Sequence, residues 1–547
     1  MSAIYPYFFM VSRWAVALIS LVIVWQWIVC FIKNKKQPSP VAQLVTSDGI
    51  SLAMYAMEVI IGRSNSADLI IPVNGVEKRH ALLCFEKGHW HIAPLMGKVM
   101  VNLQNVKRVA PLEYGDKITI AGQTLTFKYK QDENIVSKRP PSGGLALIFL
   151  SIFQILVALE VCLNFWHGLD PLIPAAFALL LVGQWTYFLV GQNLKNFKML
   201  IEIPTLYLIT LGLAVVSALA PEELLKQLIC FGVGFAGFLL LTFVLKYRGF
   251  VIGAQRIVMA VTLILLYYTA FFGSKINSAR NWLKVGSFSF QPSEIVKVAF
   301  VAMCGISLYI LTKKPAKRIE FLVYCLLSMG ALAIMLDFGA VAIFFIIMLT
   351  ALTLRLEKPL VIWGILGAAV VGAGGVILVY PYIARRFGAW LHAWQYADSL
   401  GYQQTRTMMS FASGGMLGVG PGNGNLKNIA AAETDLVFGV LGEEFGAVVA
   451  LVAALSIVAI GVYGFRLIKN STCIFDAATV GGATVQILFQ TALNIFGSVD
   501  ILPLTGVTFI FVSIGGSSLI SALMMLAFFK AAELHKQSSK QWRDSDE

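Results

Sequence analysis

Residues 228–245 read LICFGVGFAGFLLLTFVL, eighteen consecutive positions without a charge, inside a longer apolar run from 223 to 245. A helix of about 20 such residues spans the roughly 30 Å hydrocarbon core of a bilayer. Lys246 and Arg248 follow the run, as basic residues do in loops that stay on the inner side. The pattern recurs at 145–167, 171–191, 199–219, 250–272, 295–312, 320–336, 338–354, 360–380, 436–464, 475–498 and 506–529. It also covers 14–32, where only Arg13 precedes the run, Trp25 and Trp27 crowd its end, and Lys33, Lys35 and Lys36 follow. That run reads as an uncleaved anchor with its N-terminus outside, because a cleaved signal would carry its charge ahead and small residues behind. The prediction is a polytopic α-helical membrane protein with about twelve spans plus one N-terminal anchor. Composition agrees: 58% of the 547 residues are hydrophobic and 13% charged, too apolar for a water-soluble chain to cover itself.

Residues 41–130 break this pattern. Lys117-Ile118-Thr119-Ile120, a turn at Ala121-Gly122, and Leu125, Phe127 and Tyr129 at period two predict paired strands. Gly, Asn and Asp interrupt the segment at short intervals, as in a small β-sandwich. The chain therefore divides into an anchor (1–36), a β-sandwich (41–130), a polar linker (131–144) with Pro140 and Pro141, a polytopic domain (145–530) and a tail (531–547). The seven cysteines form no CxxC or Cys/His cluster, so neither a disulfide framework nor a zinc site is indicated.

The charges fix an expected topology. With 42 Lys and Arg against 29 Asp and Glu, the net charge is +13. In a membrane protein that excess belongs to inner loops, and no nucleic-acid partner is expected. With the β-sandwich and C-terminus inside, sixteen basic residues of the polytopic domain and tail fall within and eight outside. Seven of the outer eight crowd into loops 274–290 and 381–435, among them Arg280, Arg386 and Lys427.

Those loops carry ordered motifs. Asn277-Ser278-Ala279-Arg280-Asn281-Trp282 is followed by Phe290-Gln291-Pro292-Ser293-Glu294-Ile295-Val296-Lys297. Next come Gly401-Tyr402-Gln403 with Ser413-Gly414-Gly415-Met416-Leu417-Gly418, then Thr434-Asp435-Leu436-Val437-Phe438 with Gly442-Glu443-Glu444-Phe445-Gly446. Pro503-Leu504-Thr505-Gly506 and Ser513-Ile514-Gly515-Gly516-Ser517-Ser518 complete the set. Over about 145–530 the chain resembles the SEDS family, the FtsW/RodA/SpoVE cell-wall polymerases. It departs at Met335-Leu336-Asp337-Phe338-Gly339-Ala340, where the family has QPDLGT, at Glu433, where it has histidine, and at Thr508-Phe509-Ile510-Phe511, which lacks a proline.

The resemblance implies a peptidoglycan glycosyltransferase that polymerises lipid II at the outer membrane face during division, elongation or sporulation. It implies a class B penicillin-binding protein as transpeptidase partner, since this chain shows no SxxK-type motif set. Such chemistry needs a base for the attacking hydroxyl and cations for the leaving pyrophosphate. Asp435 matches the family's proposed catalytic Asp. It stands beside Leu436-Val437-Phe438, where partial desolvation would raise its proton affinity; capping of the next helix is the other reading. The candidate substrate-binding residues are Arg280, Glu294, Lys297, Asp337, Arg386, Gln403, Ser413, Gly414, Gly415, Glu443 and Ser517. Glu294 and Lys297 share a helix face and read either as substrate contacts or as an ion pair that makes the span tolerable. No metal ligand set is visible and no cofactor is fixed; two carboxylates and a pyrophosphate would suit Mg²⁺ or Mn²⁺. A polyprenyl-lipid flippase and a catalytically inactive scaffold are the rival readings; neither needs a base at Asp435.

The β-segment resembles a forkhead-associated (FHA) domain through Ile61-Gly62-Arg63-Ser64, Arg79-His80-Ala81 and Tyr114-Gly115-Asp116-Lys117-Ile118. The resemblance implies a phosphopeptide loop containing Arg63, Ser64 and His80, and a cytoplasmic partner. Glu77 replaces the loop's serine, and Met96-Gly97 its Asn-Gly. A carboxylate where phosphate would sit predicts weak phosphothreonine capture or none.

Overall fold

The computed structural model describes residues 4–34, 42–54, 57–64, 67–86, 89–128, 143–193, 197–276, 279–286, 288–313, 318–354, 359–471 and 473–544. Most of the 131–144 linker, including Pro140 and Pro141, lies outside them, as do Lys35, Lys36, Tyr129, Asn277 and Ser278.

The chain opens with α1 (Ile4–Lys33) and continues into eleven short strands. These are β1 (Ala42–Thr46), β2 (Ser51–Met54), β3 (Glu58–Gly62), β4 (Leu69–Ile70), β5 (Ala81–Glu86) and β6 (His89–Pro94), then β7 (Val99–Val101), β8 (Gln104–Asn105), β9 (Ala110–Leu112), β10 (Lys117–Ile120) and β11 (Gln123–Lys128). They form two sheets, β2-β1-β11-β10-β7-β8 and β4-β3-β5-β6-β9. Between the sheets lies a core that includes Leu44, Ile61, Leu83, Trp90, Ile118 and Phe127. The predicted hairpin is present: Ile118 pairs with Leu125, and Ala121 and Gly122 turn at φ +49° and +82°. Positive φ at both positions matches the twist of a two-residue hairpin.

The remainder is helical: α2 (Gly144–Asn164), α3 (Leu172–Gln192), α4 (Glu202–Leu219), α5 (Leu224–Lys246), α6 (Arg248–Gly253) and α7 (Gln255–Phe272). A small sheet, β12 (Ser274–Ile276), β13 (Ala279–Val285) and β14 (Phe288–Phe290), precedes α8 (Pro292–Lys313), α9 (Arg318–Ile334), α10 (Phe338–Thr353) and α11 (Pro359–Val379). Then follow α12 (Pro381–Ala389), α13 (Tyr402–Gly414), α14 (Val437–Glu444), α15 (Gly446–Lys469), α16 (Ile474–Ser498) and α17 (Gly516–Asp544).

Ten helices among the described residues are long and apolar enough to cross a membrane, fewer than the predicted thirteen. The other three are the shorter apolar α9 and α10 and the more polar α16, whose length is 25 residues. Two predicted spans are also reshaped. The 436–464 run breaks between α14 and α15, where Gly446 at φ +87° brings its backbone against Met416–Gly418. The 506–529 run becomes helical only at Gly516, because Gly506 (φ +71°) and Phe511 (φ +68°) leave helical geometry. The segment before α17 thus enters the helical body in irregular form, tolerated because protein groups satisfy its backbone.

Helix α16 sits centrally, against α8, α10, α15 and α17, while α5 packs along α17. Helix α1 buries Val16, Ser20, Ile23, Trp27 and Cys30, a stripe at three- and four-residue steps, against α2 and α15. Its first turns touch Gly418 and Val419 through Arg13, whereas its last turn is gripped by Arg466 at the end of α15, which donates to the Phe31 and Asn34 carbonyls. The two ends of α1 therefore mark opposite ends of the bundle. Among the described residues none of the seven cysteines forms a disulfide.

Candidate functional site

Asp435 lies at the junction of two irregular segments, 429–436 and 501–515. Ala431, at φ +63°, turns the first so that its carbonyl accepts from the amides of Thr434, Asp435 and Leu436. The second is laced to it: the Ile514 amide donates to the Glu433 carbonyl (2.9 Å), and the Ser513 hydroxyl donates to the Thr434 carbonyl. Asn494 of α16 completes the joint, its Nδ2 donating to the carbonyls of Asp435 (2.9 Å) and Val507 (2.8 Å). A Cβ on Gly506 would stand 3.4 Å from an Asp435 carboxylate oxygen, an ordinary contact distance, so Gly506 lies directly against the carboxylate.

The Asp435 side chain does not cap α14. Leu436 occupies the N-cap position, and no side chain caps the helix. Burial pushes the Asp435 carboxyl up to about 6; the Thr434 hydrogen bond and the Arg386 guanidinium oppose the shift, and Glu433 adds to it. Desolvation dominates because the charged form loses water that no full set of donors replaces. Arg386 is itself held by α12, with Nη1 donating to the Leu504 carbonyl (3.1 Å). Two further ties fix this corner: Asp500 accepts from the amides of Leu391 and Ala393, and Trp390 donates to the Ile501 carbonyl. A carboxylate with raised proton affinity, a cation and a glycine thus converge at one edge of the bundle.

The other candidates sort into groups. Asp337 is the N-cap of α10, accepting from the Ala340 amide (3.0 Å), and its second oxygen accepts from Asn281 (2.9 Å) and Gln291 (3.0 Å). It therefore ties the β13 strand and the start of α8 to α10. Arg280 is half-buried on β13; its Nη1 donates to the Phe271 carbonyl (3.3 Å) at the end of α7.

Lys297 is only 2% exposed, and its Nζ donates to Glu294 (2.8 Å) and to Gln490 of α16 (2.9 Å). Ser521 donates to the other Glu294 oxygen, and Gln490 in turn reaches Thr508. The pair is a charge-neutral node inside the bundle rather than a surface contact. Its network supports the 501–515 segment from beneath.

Gln403 of α13 donates to the Ala430 carbonyl (2.9 Å), just ahead of the Ala431 turn. Ser413 closes back on the Ser410 carbonyl. Gly414 lets α13 touch α14: a Cβ there would meet the Gly442 carbonyl oxygen at 2.1 Å. Gly415 turns at φ +57° into the segment 416–428. Buried Glu443 accepts from the amides of Asn425 (2.8 Å) and Leu426 (2.9 Å), so it anchors that segment to α14. Ser517 lies half-buried in the first turn of α17, beside Ser518, which hydrogen-bonds Thr508. Among the described residues no three His, Cys, Asp or Glu side chains converge in a metal-binding group.

Asn494 was not singled out from the sequence. The signal was present: Gln486, Gln490 and Asn494 recur every four residues along α16, a polar stripe in an otherwise apolar helix.

In the β-sandwich, Arg63 is exposed and Ser64 half-buried. His80 is buried: Nδ1 accepts from the Glu77 amide (3.1 Å), and Nε2 meets the Lys98 carbonyl (2.9 Å). Its ring packs where a Cβ on Gly97 would be, so His80 joins two loops from within. Glu77 is exposed beside Arg63, whose amide donates to the Glu77 carbonyl (3.0 Å).

Known proteins place this architecture. The FHA domain model matches residues 59–121. A probable peptidoglycan glycosyltransferase FtsW from Tolumonas auensis is 30% identical over 284 residues, 50% of this chain and 73% of that protein. The peptidoglycan glycosyltransferase RodA of Mycobacterium bovis is 28% identical over 326 residues, 55% of this chain and 68% of its own length. A chain solved in a study of how a peptidoglycan synthase complex coordinates polymerisation and crosslinking is 24% identical. It covers 62% of this chain and 97% of its own length at a TM-score of 0.51, a likeness of fold. The cell cycle protein model FTSW_RODA_SPOVE matches residues 193–538, well over half of the sequence, and the chain belongs to that family.

Proposed function

We propose that this membrane protein is a peptidoglycan glycosyltransferase that polymerises lipid II, with Asp435 as the general base. In that reaction a GlcNAc hydroxyl oxygen bonds to the anomeric carbon of a muramyl sugar. The bond from that carbon to the pyrophosphate oxygen breaks, polyprenyl pyrophosphate leaves, and the hydroxyl proton passes to the Asp435 carboxylate. The observation that carries the reading is the Asp435 corner: a desolvated carboxylate facing Gly506, with a proton affinity suited to neutral conditions and Arg386 beside it. A base is most effective when its pKa lies near the working pH. Arg386 is the cation best placed for the leaving pyrophosphate, with Arg280 farther along the same outer face. Glu294, Lys297, Asp337, Gln403 and Glu443 hold the framework that presents Asp435.

The division into an anchor, an FHA domain, a linker and a polytopic domain supports an FHA domain on the cytoplasmic side. Helix α1 starts beside the Asp435 side of the bundle and ends at the opposite one, where the positive-inside rule puts Arg466 and Lys469. The N-terminus is then outside and the C-terminus inside. A class B penicillin-binding protein would take the nascent glycan from the outer surface, and a cytoplasmic protein would engage the FHA loops.

The test is polymerisation of lipid II by the purified full chain with its transpeptidase partner. Glycan strands from the wild type support the reading. Movement of lipid II across a bilayer without strand formation would favour a flippase instead.

A further inference from the structure

We propose that the N-terminal extension clamps the glycine-rich loop 418–428 of the polymerase, with Arg13 of α1 as a positioning residue for strand synthesis. The proposal rests on the polymerase reading. Its clamping residues, Arg13, Asn164 and Phe165, lie outside the family match at 193–538, while the loop they hold lies within it.

The clamp has three contacts. The Arg13 guanidinium donates through Nη1 to the Gly418 carbonyl (3.1 Å) and through Nη2 to the Val419 carbonyl (2.6 Å). Asn164, the last residue of α2, donates to the Pro421 carbonyl (2.7 Å). Next to it, Phe165 fills the place where a Cβ on Gly422 would lie. The extension is itself braced: Ser12 of α1 donates to buried Glu160 of α2.

The loop is shaped to receive these groups. Gly418, Gly420 and Gly422 all have positive φ, at +79°, +98° and +76°. A Cβ on Gly420 would stand 2.5 Å from Arg13 Nη2, so glycine is what admits the guanidinium. Two adjacent carbonyls suit the planar fork of arginine, which a lysine point charge would meet only in part. Arg13 sits within an apolar span, and its Nε is buried without a partner. A cation kept there at such cost has a function to perform.

The loop leads to the reacting carboxylate by two routes. Along the chain it runs into the Ala431 turn and Asp435. In space, Glu443 of α14 holds the Asn425 and Leu426 amides, while the Val419 and Gly420 amides donate to the Glu443 and Glu444 carbonyls. Helix α14 begins two residues after Asp435, so the clamp on one side of the loop and Glu443 on the other set where Asp435 stands. A shift of about 1 Å in such a group can cost roughly a hundredfold in rate.

The experiment compares full-length wild type with Arg13→Ala, Arg13→Lys, Asn164→Ala and Gly420→Ala, reading amide hydrogen exchange of residues 418–428 and lipid II polymerisation. Arg13→Ala should speed exchange in the loop about tenfold and lower kcat about tenfold, with KM within about twofold. Arg13→Lys should recover part of both, and Gly420→Ala should mimic Arg13→Ala while Arg13 is present. Unchanged loop exchange in Arg13→Ala, or faster exchange with full kcat, would overturn the proposal. If the wild type makes no glycan, the polymerase reading falls; the exchange of the loop then judges the clamp alone, a rise in Arg13→Ala upholding it and no rise refuting it.

Discussion

Two aspartates of the family motifs, Asp337 and Asp435, are treated oppositely by the structure. Asp337 has each carboxylate oxygen occupied by donors from three segments: the α10 amide of Ala340, Asn281 of β13 and Gln291 ahead of α8. Asp435 caps nothing, and burial pushes its carboxyl up to about 6 against the opposing Thr434 hydrogen bond and Arg386 guanidinium. Both are Asp in a family motif at the edge of an apolar run. The first is a fastener because its lone pairs are used. The second is the proposed base because burial leaves its charge poorly solvated and raises its proton affinity.

The sharpest way to break this contrast is to remove the charge at both positions. Asp435→Asn should lower polymerisation by about 10²–10⁴-fold, the usual contribution of a positioned base. Its thermal unfolding should stay near wild type, because the asparagine keeps an acceptor oxygen for the Thr434 hydrogen bond. Asp337→Ala should do the reverse, costing about 2 kcal/mol or more through a lost cap and two amides left unpaired. Its rate should fall only as the folded fraction falls. Equal losses of rate in the two variants, scaled to folded protein, would erase the distinction.

The Glu294–Lys297 node extends the comparison to a buried pair. Lys297→Ala leaves Glu294 charged and unpaired inside the bundle, and should destabilise by about 3–5 kcal/mol. Replacing both partners by apolar residues of similar size should recover most of that stability. If Lys297 instead contacts substrate, the double variant would be stable but unable to polymerise, a result seen directly in denaturation and strand assays.

The smallest expected effects concern the neighbours that tune Asp435. Arg386 favours its ionised form and Glu433 opposes it. Arg386→Gln should therefore move the acid limb of the rate profile to higher pH, and Glu433→Gln to lower pH. A common shift in one direction would contradict the electrostatic assignment.

The sequence was legible where a pattern is local. Apolar runs located the helices, and period two with Ala121-Gly122 located the β10–β11 hairpin. It misled where tertiary contacts overrule hydropathy. Residues 506–515 are apolar enough to read as part of a span, yet Asn494 and Ser513 bond to this segment and its Asp435 neighbour in a non-helical form. The break at Gly446 depends on contact with Met416–Gly418, about thirty residues earlier in the chain. The candidate site was legible in two ways: motif order pointed to Asp435, and the excess of basic residues in the outer loops pointed to Arg386. Its supporting cast was not, because Glu443 meets amides from another loop and Arg13 meets carbonyls some four hundred residues away. Side-chain roles that depend on remote partners leave no local period to read.

The central claim is that Asp435 receives the proton of the attacking hydroxyl. The pH dependence of kcat/KM for lipid II polymerisation tests it most directly, since only the deprotonated carboxylate can act. The rate should rise with pH through a limb near 6, following the value to which burial pushes Asp435, and Arg386→Gln should displace that limb upward. A rate independent of pH from about 5 to 7.5, or a limb that persists unchanged in Asp435→Asn, would contradict the account.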